Sequence, residues 1–261
     1  MSESPRLLDV FLDVQRGLPR QGPGSDESTL EALSLCSGLP RAPAILDVGC
    51  GPGMQTVALA KAVNGRLTAV DINEEYLGEL CQRAKDAGVA KHIAILAADM
   101  NEIPVAPASF DAIWSEGAAY IMGFERALAA WQRFLKPGGY IAVTELVWLR
   151  PDPPADVAEF FGREYPAMTD IGAVVATVRA CGYEPIGHFT LPNRAWWDHY
   201  YTPLEAKLPK LYEKYRGNDE ALGIIRTAER EIDIRRRFPE FYGYEFFVGR
   251  TAAYRSARER N

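Results

Sequence analysis

The residues best suited to chemistry in this 261-residue chain are glycines and acids at regular spacing. Gly49, Gly51 and Gly53 alternate after the apolar run Ile45-Leu46-Asp47-Val48 and ahead of Met54-Gln55-Thr56-Val57-Ala58-Leu59-Ala60, a helical run. That order reads as strand, tight turn, helix. Glycine lets such a turn bend sharply and brings backbone N–H groups against a ligand with no Cβ in the way. Three carboxylates accompany it. Asp47 precedes the turn, Asp71 ends the next strand-like run (Leu67-Thr68-Ala69-Val70), and Asp99 follows a third (Ile93 to Ala97). In an open α/β sheet the carboxyl ends of the strands form one rim, and that rim is where such sheets bind ligands.

The residue types discriminate between ligands. A dinucleotide turn wants G-x-G-x-x-G or A, but Met54 stands at the last place, and Pro52 removes an N–H from the phosphate-facing region. An acid at Asp47 repels a pyrophosphate and attracts an ammonium group. The pattern therefore favours a cationic nucleoside that carries an amino acid, and an NAD-dependent dehydrogenase is the weakest contender. Asp71 is placed to accept hydrogen bonds from both hydroxyls of a ribose. Asp99, with Met100 beside it, is placed to accept from an adenine amino group. Any one of these acids alone reads more readily as a solvated loop residue; their common rim beside the glycine turn is what gives them weight.

The surrounding elements must position these groups. Leu7, Leu8, Phe11 and Val14 predict a short amphipathic helix. Leu18 to Ser25 is a loop by composition, either a connector or a lid, and Ser25 or Asp26 can cap the helix carrying Leu30 and Leu33. From Ile45 strands and helices alternate: Leu67 to Asp71, a helix through Leu77, Leu80, Cys81 and Ala84 stopped at Gly88, Ile93 to Ala97, Phe110 to Trp114, a helix face of Phe124, Leu128, Trp131 and Leu135, the turn Lys136-Pro137-Gly138-Gly139, and Tyr140 to Thr144. Such alternation predicts a parallel sheet with right-handed crossovers. Beyond the prolines at 151, 153 and 154, a helix over Ile171 to Ala180 and strands over Glu184 to Leu191 and Tyr244 to Thr251 are expected. Pro192 to Gly243 reads as a helical insertion, with Leu204, Leu208, Leu211 and Tyr215 on one helix face and Leu222, Ile225 and Ile232 on another. The charged tail after Tyr254 is expected to fray.

Composition bounds the function. A net charge of −6 argues against a binder of nucleic acid through a broadly basic face. Cys36, Cys50, Cys81 and Cys181 are scattered without a CxxC pair and read as reduced thiols. No basic, apolar leader is visible, and no apolar run approaches the ~20 residues that span a bilayer. A soluble, cytoplasmic protein is expected. No His/Cys/Asp grouping has metal spacing, so no metal is predicted.

Five segments, Asp47 to Gly53, Ala69-Val70-Asp71, Ala98-Asp99-Met100, Phe110 to Ile113 and Leu135 to Gly139, resemble in order and spacing the motifs of class I S-adenosylmethionine-dependent methyltransferases. The likeness is to the small-molecule branch that includes ubiquinone/menaquinone C-methyltransferase-like proteins, and it runs over roughly residues 44 to 147. It implies a Rossmann-like, doubly wound seven-stranded sheet with an antiparallel last strand, in one domain over 1–261. Within it, residues 1–43 would supply N-terminal helices and a lid loop, 44–150 the cofactor-binding core, and 192–243 a helical substrate cap. It implies S-adenosyl-L-methionine as cofactor, with Asp47, Gly49, Cys50, Gly51, Gly53, Asp71, Ile72, Asp99, Met100 and Ser115 around it. Some relatives of unknown substrate also look alike at Gln21 to Ser25, Trp114 to Gly117, Trp196 to Pro203 and Tyr242 to Tyr244.

The chemistry implied is in-line displacement from a sulfonium, which needs alignment above all and a base only if the acceptor has a proton to lose. The exit of the fourth strand reads Ser115-Glu116-Gly117-Ala118, without the Asn/Asp-Pro-Pro-aromatic tetrad of amino-methyltransferases that act on bases or glutamine amides. A small organic acceptor is therefore expected. A tRNA or protein substrate, or a non-catalytic S-adenosylmethionine-binding protein, are the other readings. Catalytic candidates are Glu116 (a base, an orienting group or a plain loop carboxylate), Tyr120 and His199, with Glu145 in the same class as Glu116. The aromatics Trp196 to Tyr201 read either as pocket lining or as a small core under the insertion, and Phe160 to Tyr165 as part of a lid. His92 and His188 read as strand-edge residues. Arg230, Arg235, Arg236 and Arg237 read as a solvated helix face or, as the alternative, a contact for an anionic acceptor or tRNA.

Overall fold

A computed structural model describes residues 7–253; residues 1–6 and the tail from 254 onward lie outside the described residues. Its sheet is built from short apolar runs that end at polar residues. The strands are β1 (Ala44–Val48), β2 (Arg66–Asp71), β3 (Ile93–Ala97), β4 (Phe110–Ser115), β5 (Leu135–Trp148), β6 (Thr169–Asp170), β7 (Tyr183–Thr190) and β8 (Tyr242–Thr251). They lie in the order β3-β2-β1-β4-β5-β8-β7, with β6 beside the end of β5. β8 runs antiparallel to β5 and β7, and the other pairs are parallel. The order reverses between β1 and β4, so their carboxyl ends diverge into a crevice. This is the doubly wound, seven-strand path with an antiparallel final strand. The extra strand, β6, is two exposed polar residues and carries no apolar signal. β5 is longer than expected: it pairs with β4 on both sides of a register shift, so Lys136 to Gly139 belongs to the strand.

The helices are α1 (Leu7–Gln15), α2 (Asp26–Leu35), α3 (Met54–Ala62), α4 (Glu74–Asp86), α5 (Phe124–Trp131), α6 (Ala155–Glu164), α7 (Ile171–Ala180), α8 (Arg194–Trp196), α9 (Thr202–Lys214) and α10 (Asp219–Arg237). A π turn over Trp197–Tyr201 joins α8 to α9. One apolar cluster packs α2, α3 and α4 against the sheet through Leu59, Leu77, Leu80, Trp114 and Phe246. A second joins α5 and α7 through Leu46, Ile113, Trp131, Val178 and Phe247. A third holds α1, α6 and α8 to α10 together around Val10, Phe161, Trp196, Leu208, Ile225 and Tyr242.

Three expectations change here. On α1, Val14 is buried, but Leu7, Leu8 and Phe11 are 50%, 61% and 48% exposed. The helix is seated through Val10 and Val14 and through Asp13, whose carboxylate takes Arg16, Lys214 and the Tyr215 hydroxyl. Lys207 donates to the carbonyls of Asp13, Val14 and Arg16 and so satisfies the orphan acceptors at that helix end. Of Arg230, Arg235, Arg236 and Arg237 on α10, Arg235 is buried. Its guanidinium lies 4.0 Å from the Trp196 ring centroid and donates to the carbonyl of Tyr242 at 2.7 Å. Arg230, Arg236 and Arg237 form exposed ion pairs with Asp156, Glu205 and Asp233. His92 ends a 3-10 turn ahead of β3, and His188, on β7, pairs with the buried Glu245 at 2.5 Å.

Candidate active site

The crevice at the carboxyl ends of β1, β2 and β4 opens into a cavity of about 920 Å³. One wall is the sheet rim: Gly49, Cys50, Gly51, Asp71, Ile72, Asp99 and Met100 all line it. The facing wall comes from α1 (Leu8, Phe11, Gln15), α6 (Phe161), the insertion (Trp196, Tyr200, Glu231) and Tyr244 of β8. Glu116 and Tyr120, at the exit of β4, complete it.

The glycine turn is held by its own neighbours. The N–H groups of Gly49 and Cys50 donate to the Val70 carbonyl (2.8 and 3.0 Å), and Gly51 N–H donates to Asp71 Oδ2 (2.8 Å). Gly53 N–H donates to the Cys50 carbonyl (3.1 Å), and Pro52 has no N–H. This corrects the expectation that the turn offers its N–H groups to a ligand, and it leaves a pyrophosphate without that cradle. What glycine provides at Gly49 is close packing. A Cβ on Gly49, whose φ is +71°, would lie 2.3 Å from the Ala118 Cβ. Gly53, at φ +82°, serves packing rather than ligand contact: its Cβ would lie 2.2 Å from Leu80 Cδ1, and the residue is absent from the cavity wall.

The acids divide. Asp71 accepts from Gly51 N–H through Oδ2 and from Asn73 N–H through Oδ1 (2.9 Å), and each oxygen keeps a lone pair at the rim. Asp99 Oδ1 accepts from the backbone and side-chain N–H groups of Asn101 (2.8 and 2.7 Å), which hold its carboxyl below the usual range. The neighbouring Met100 carbonyl is taken by Trp131 Nε1–H at 3.2 Å. Asp47, by contrast, has no surface on the cavity. It is fully buried beneath the turn, where Thr56 in the first turn of α3 donates to it at 2.6 Å, and burial pushes its carboxyl up to about 7. Ser115 is likewise inaccessible, its hydroxyl without a partner among the described residues. Cys50 lines the cavity with a thiol that burial pushes well up, so it is a packing group and not a nucleophile.

The catalytic candidates are also sorted. Glu116 Oε1 accepts from Thr29 Oγ1–H (2.6 Å) and Trp114 Nε1–H (2.9 Å), while Oε2 takes the Arg20 guanidinium at 2.9 Å. The side chains of Glu116 and Arg20 are 3% and 4% exposed. A carboxylate so occupied is an anchor for the segment that carries Arg20, not a free base. His199 is absent from the cavity wall; its carbonyl accepts the Arg20 N–H at 3.3 Å. Glu145 is buried behind that wall, hydrogen-bonded by the Tyr165 hydroxyl and pushed up to about 7 by burial. Tyr120 does line the cavity, edge-to-face with Tyr165 at 5.9 Å. The aromatics Trp196 to Tyr201 serve both expected purposes, since Trp196 of α8 and Tyr200 of the π turn are core residues and cavity lining at once.

Sequence reading missed Glu231. It lies among charged residues on α10, where nothing in the spacing separates it from the solvated acids nearby. Its Oε1 accepts from the Tyr201 hydroxyl at 2.7 Å, and burial raises its pKa.

The fold and this rim define the class: a doubly wound α/β protein with a cavity at the carboxyl ends of its strands and no phosphate cradle in its glycine turn. The rim fits S-adenosylmethionine, since Asp71 faces the cavity with accepting capacity to spare for ribose hydroxyls. The family described as "Methyltransferase domain" matches residues 45–139. The chain is 26% identical over 204 residues to 27-O-demethylrifamycin SV methyltransferase of Amycolatopsis mediterranei, across 74% of this chain and 70% of that one. It is 27% identical over 144 residues to the ubiquinone/menaquinone biosynthesis C-methyltransferase UbiE of Psychromonas ingrahamii, covering 54% of this chain and 57% of that one. A Geobacter sulfurreducens SAM-dependent methyltransferase, solved with S-adenosyl-L-homocysteine, superposes with a TM-score of 0.75 at 21% identity, over 95% of this chain and 99% of that one. Together these likenesses support a class I S-adenosylmethionine-dependent methyltransferase, with the matched family domain lying over the sheet rim. Among the described residues no helix is long and apolar enough to cross a membrane.

Proposed function

We propose that the chain methylates a small organic acceptor with an apolar body, seated between the sheet rim and the insertion. One observation carries this reading. Of the large apolar side chains exposed among the described residues, Leu8, Phe11, Ile72, Tyr120 and Ile121 all line this cavity, and only Leu7, Leu30 and Ile186 lie elsewhere. Exposed apolar surface gathered at one mouth marks a binding site rather than ordinary surface scatter. The relatives named for rifamycin SV and for ubiquinone/menaquinone biosynthesis support a small-molecule acceptor.

On this reading the cofactor supplies an electrophilic methyl group on a sulfonium. Asp71 holds the ribose hydroxyls, Asp99 and Met100 border the adenine, and the turn Gly49 to Gly51 borders the methionine part. The residues 192–243 act as the cap over the acceptor, and α1 with the loop 18–25 acts as the lid. Their work is alignment and exclusion of water, which together account for most of the acceleration that such a displacement needs. The enclosure of the cavity by these elements supports a small acceptor over tRNA or protein.

Titration calorimetry with S-adenosylhomocysteine is the first test, with saturable micromolar binding expected; no heat at millimolar ligand would remove the cofactor reading. Transfer of labelled methyl to an apolar panel rather than to bulk tRNA is expected to follow.

A further inference from the structure

We infer that Glu231 is the proton acceptor for methyl transfer, and that the acceptor is therefore a hydroxyl, phenolic or enolic, borne on an apolar body. This rests on the reading just given and adds the atom that is methylated.

The cavity wall opposite the sheet rim is apolar and aromatic apart from a few groups. Among the lining residues that α1, α6, the insertion and β8 contribute, Glu231 is the one carboxylate. The group is surrounded by protein yet keeps accessible surface, as a side chain on the wall of an internal cavity does. Its two oxygens are unlike. Oε1 takes the Tyr201 hydroxyl at 2.7 Å, while Oε2 takes no hydrogen bond among the described residues. A half-satisfied carboxylate in an aromatic pocket is costly to keep unless a ligand completes it. Trp196 and Gln15 border the same wall, but their unpartnered Nε1–H and Oε1 are themselves buried. Glu231 Oε2 is thus an unmatched acceptor that the wall offers to whatever enters, and a hydroxyl is a donor that completes it.

The chemistry balances. The acceptor's O–H bond breaks with its proton passing to Glu231 Oε2. The electron pair left on the acceptor oxygen forms the new O–CH₃ bond, and the pair of the broken C–S bond stays on sulfur. Glu231 then returns the proton to solvent. An amine fits less well, because a carboxylate stabilises its ammonium form, in which the lone pair that must attack is tied up in an N–H bond. Glu116 and Glu145 do not compete for the role, since Glu116 is saturated by Arg20, Thr29 and Trp114, and Glu145 lies off the wall.

The groups that bear on the titration of Glu231 are Tyr201 and Tyr200 of the π turn, Tyr242 and Tyr244 of β8, Tyr120 at the β4 exit and Glu164 of α6. Burial raises the pKa first, the Tyr201 hydrogen bond lowers it, and Glu164 raises it again. The carboxylate therefore titrates closer to neutrality than an exposed glutamate, where a base works best.

The test uses the full chain, 2-naphthol as a phenolic probe and S-adenosylhomocysteine as a control ligand, with calorimetry between pH 5 and 8. In the wild type, 2-naphthol affinity is expected to weaken as pH falls through the Glu231 titration. Glu231→Gln should lose about tenfold at pH 8, the loss expected for a hydrogen bond to a charged group, and become pH-independent. S-adenosylhomocysteine affinity should stay within twofold, which also reports that the variant is folded. Tyr201→Phe should move the midpoint upward, since its donation is what holds the Glu231 pKa down. A flat wild-type profile, equal affinity in Glu231→Gln, or no 2-naphthol binding at millimolar concentration would each overturn the assignment. Failure of S-adenosylhomocysteine to bind the wild type would instead count against the cofactor reading.

Discussion

At the scale of single residues, Asp71 has two tasks that a change at one position would remove together. It faces the cavity, and through Oδ2 it secures the N–H of Gly51. Asp71→Ala is expected to weaken S-adenosylhomocysteine binding by on the order of 10- to 100-fold, the range for hydrogen bonds to a charged group. Calorimetry reads it directly, and an unchanged affinity would take Asp71 off the ribose. Gly49 makes a sharper prediction. Gly49→Ala meets the Ala118 Cβ and also pays for a positive φ. Pairing it with Ala118→Gly removes the clash but not the strain, so thermal melts should show partial and not full recovery. These residues were legible in the sequence because glycines and acids at strand ends are local signals. Glu231 was not legible, since it reaches the cavity from more than a hundred residues beyond β4 and its neighbours on α10 are ordinary surface charges. Asp47 was misread for the converse reason. Its type suits an ammonium group, but the first turn of α3 claims it.

At the scale of elements, the contacts that close the cavity are polar clamps and aromatic packing that join distant stretches of the sequence. Glu116 holds Arg20 and Thr29; Gly24 N–H donates to the Ala195 carbonyl at 3.0 Å; Trp196 packs on Tyr242 and Tyr244 with ring centroids 5.7 and 5.4 Å apart. Tyr76 O–H donates to Gln21 Oε1 at 2.8 Å, and Arg16 reaches Glu75 at 3.0 Å, so α1 and its loop are also tied to α4. Periodicity could find α1 but not its orientation, because polar contacts to α9 turn Leu8, Phe11 and Leu12 toward the cavity mouth. Arg20→Ala leaves Glu116 buried with one partner lost, a change that typically costs about 3–5 kcal/mol. Hydrogen exchange over residues 18–25 should rise and S-adenosylhomocysteine should bind more weakly. Unchanged protection there would mean that the clamp does not hold the lid.

At the scale of the whole molecule, buried carboxylates set how stability follows pH. Burial pushes Asp47 and Glu145 up to about 7 and raises Glu231 as well. Each binds its proton more tightly folded than unfolded, so its contribution is complete below the unfolded value, near 4, and is lost as pH rises through the folded one. Asp13 and Asp99 act in the opposite sense: Lys214 and Tyr215 offset the burial of Asp13 and lower it, the Asn101 N–H groups lower Asp99, and both contributions fade as pH falls below 4. The ligand-free protein should therefore be most stable in mild acid, with a melting temperature that declines between about pH 4 and 7. For Asp47, a rise of about three units corresponds to on the order of 4 kcal/mol at most, enough to move the midpoint by several degrees in a chain of this size. Asp47→Asn removes one titration while keeping an oxygen for the Thr56 hydroxyl, so its melting curve should decline less steeply over the same range, whatever its absolute stability. Thermal melts of both proteins from pH 4 to 8 decide the matter. A wild-type midpoint that stays level or climbs with pH, or equal slopes in the two proteins, would show that the carboxylate under the glycine turn is ionised in the folded chain.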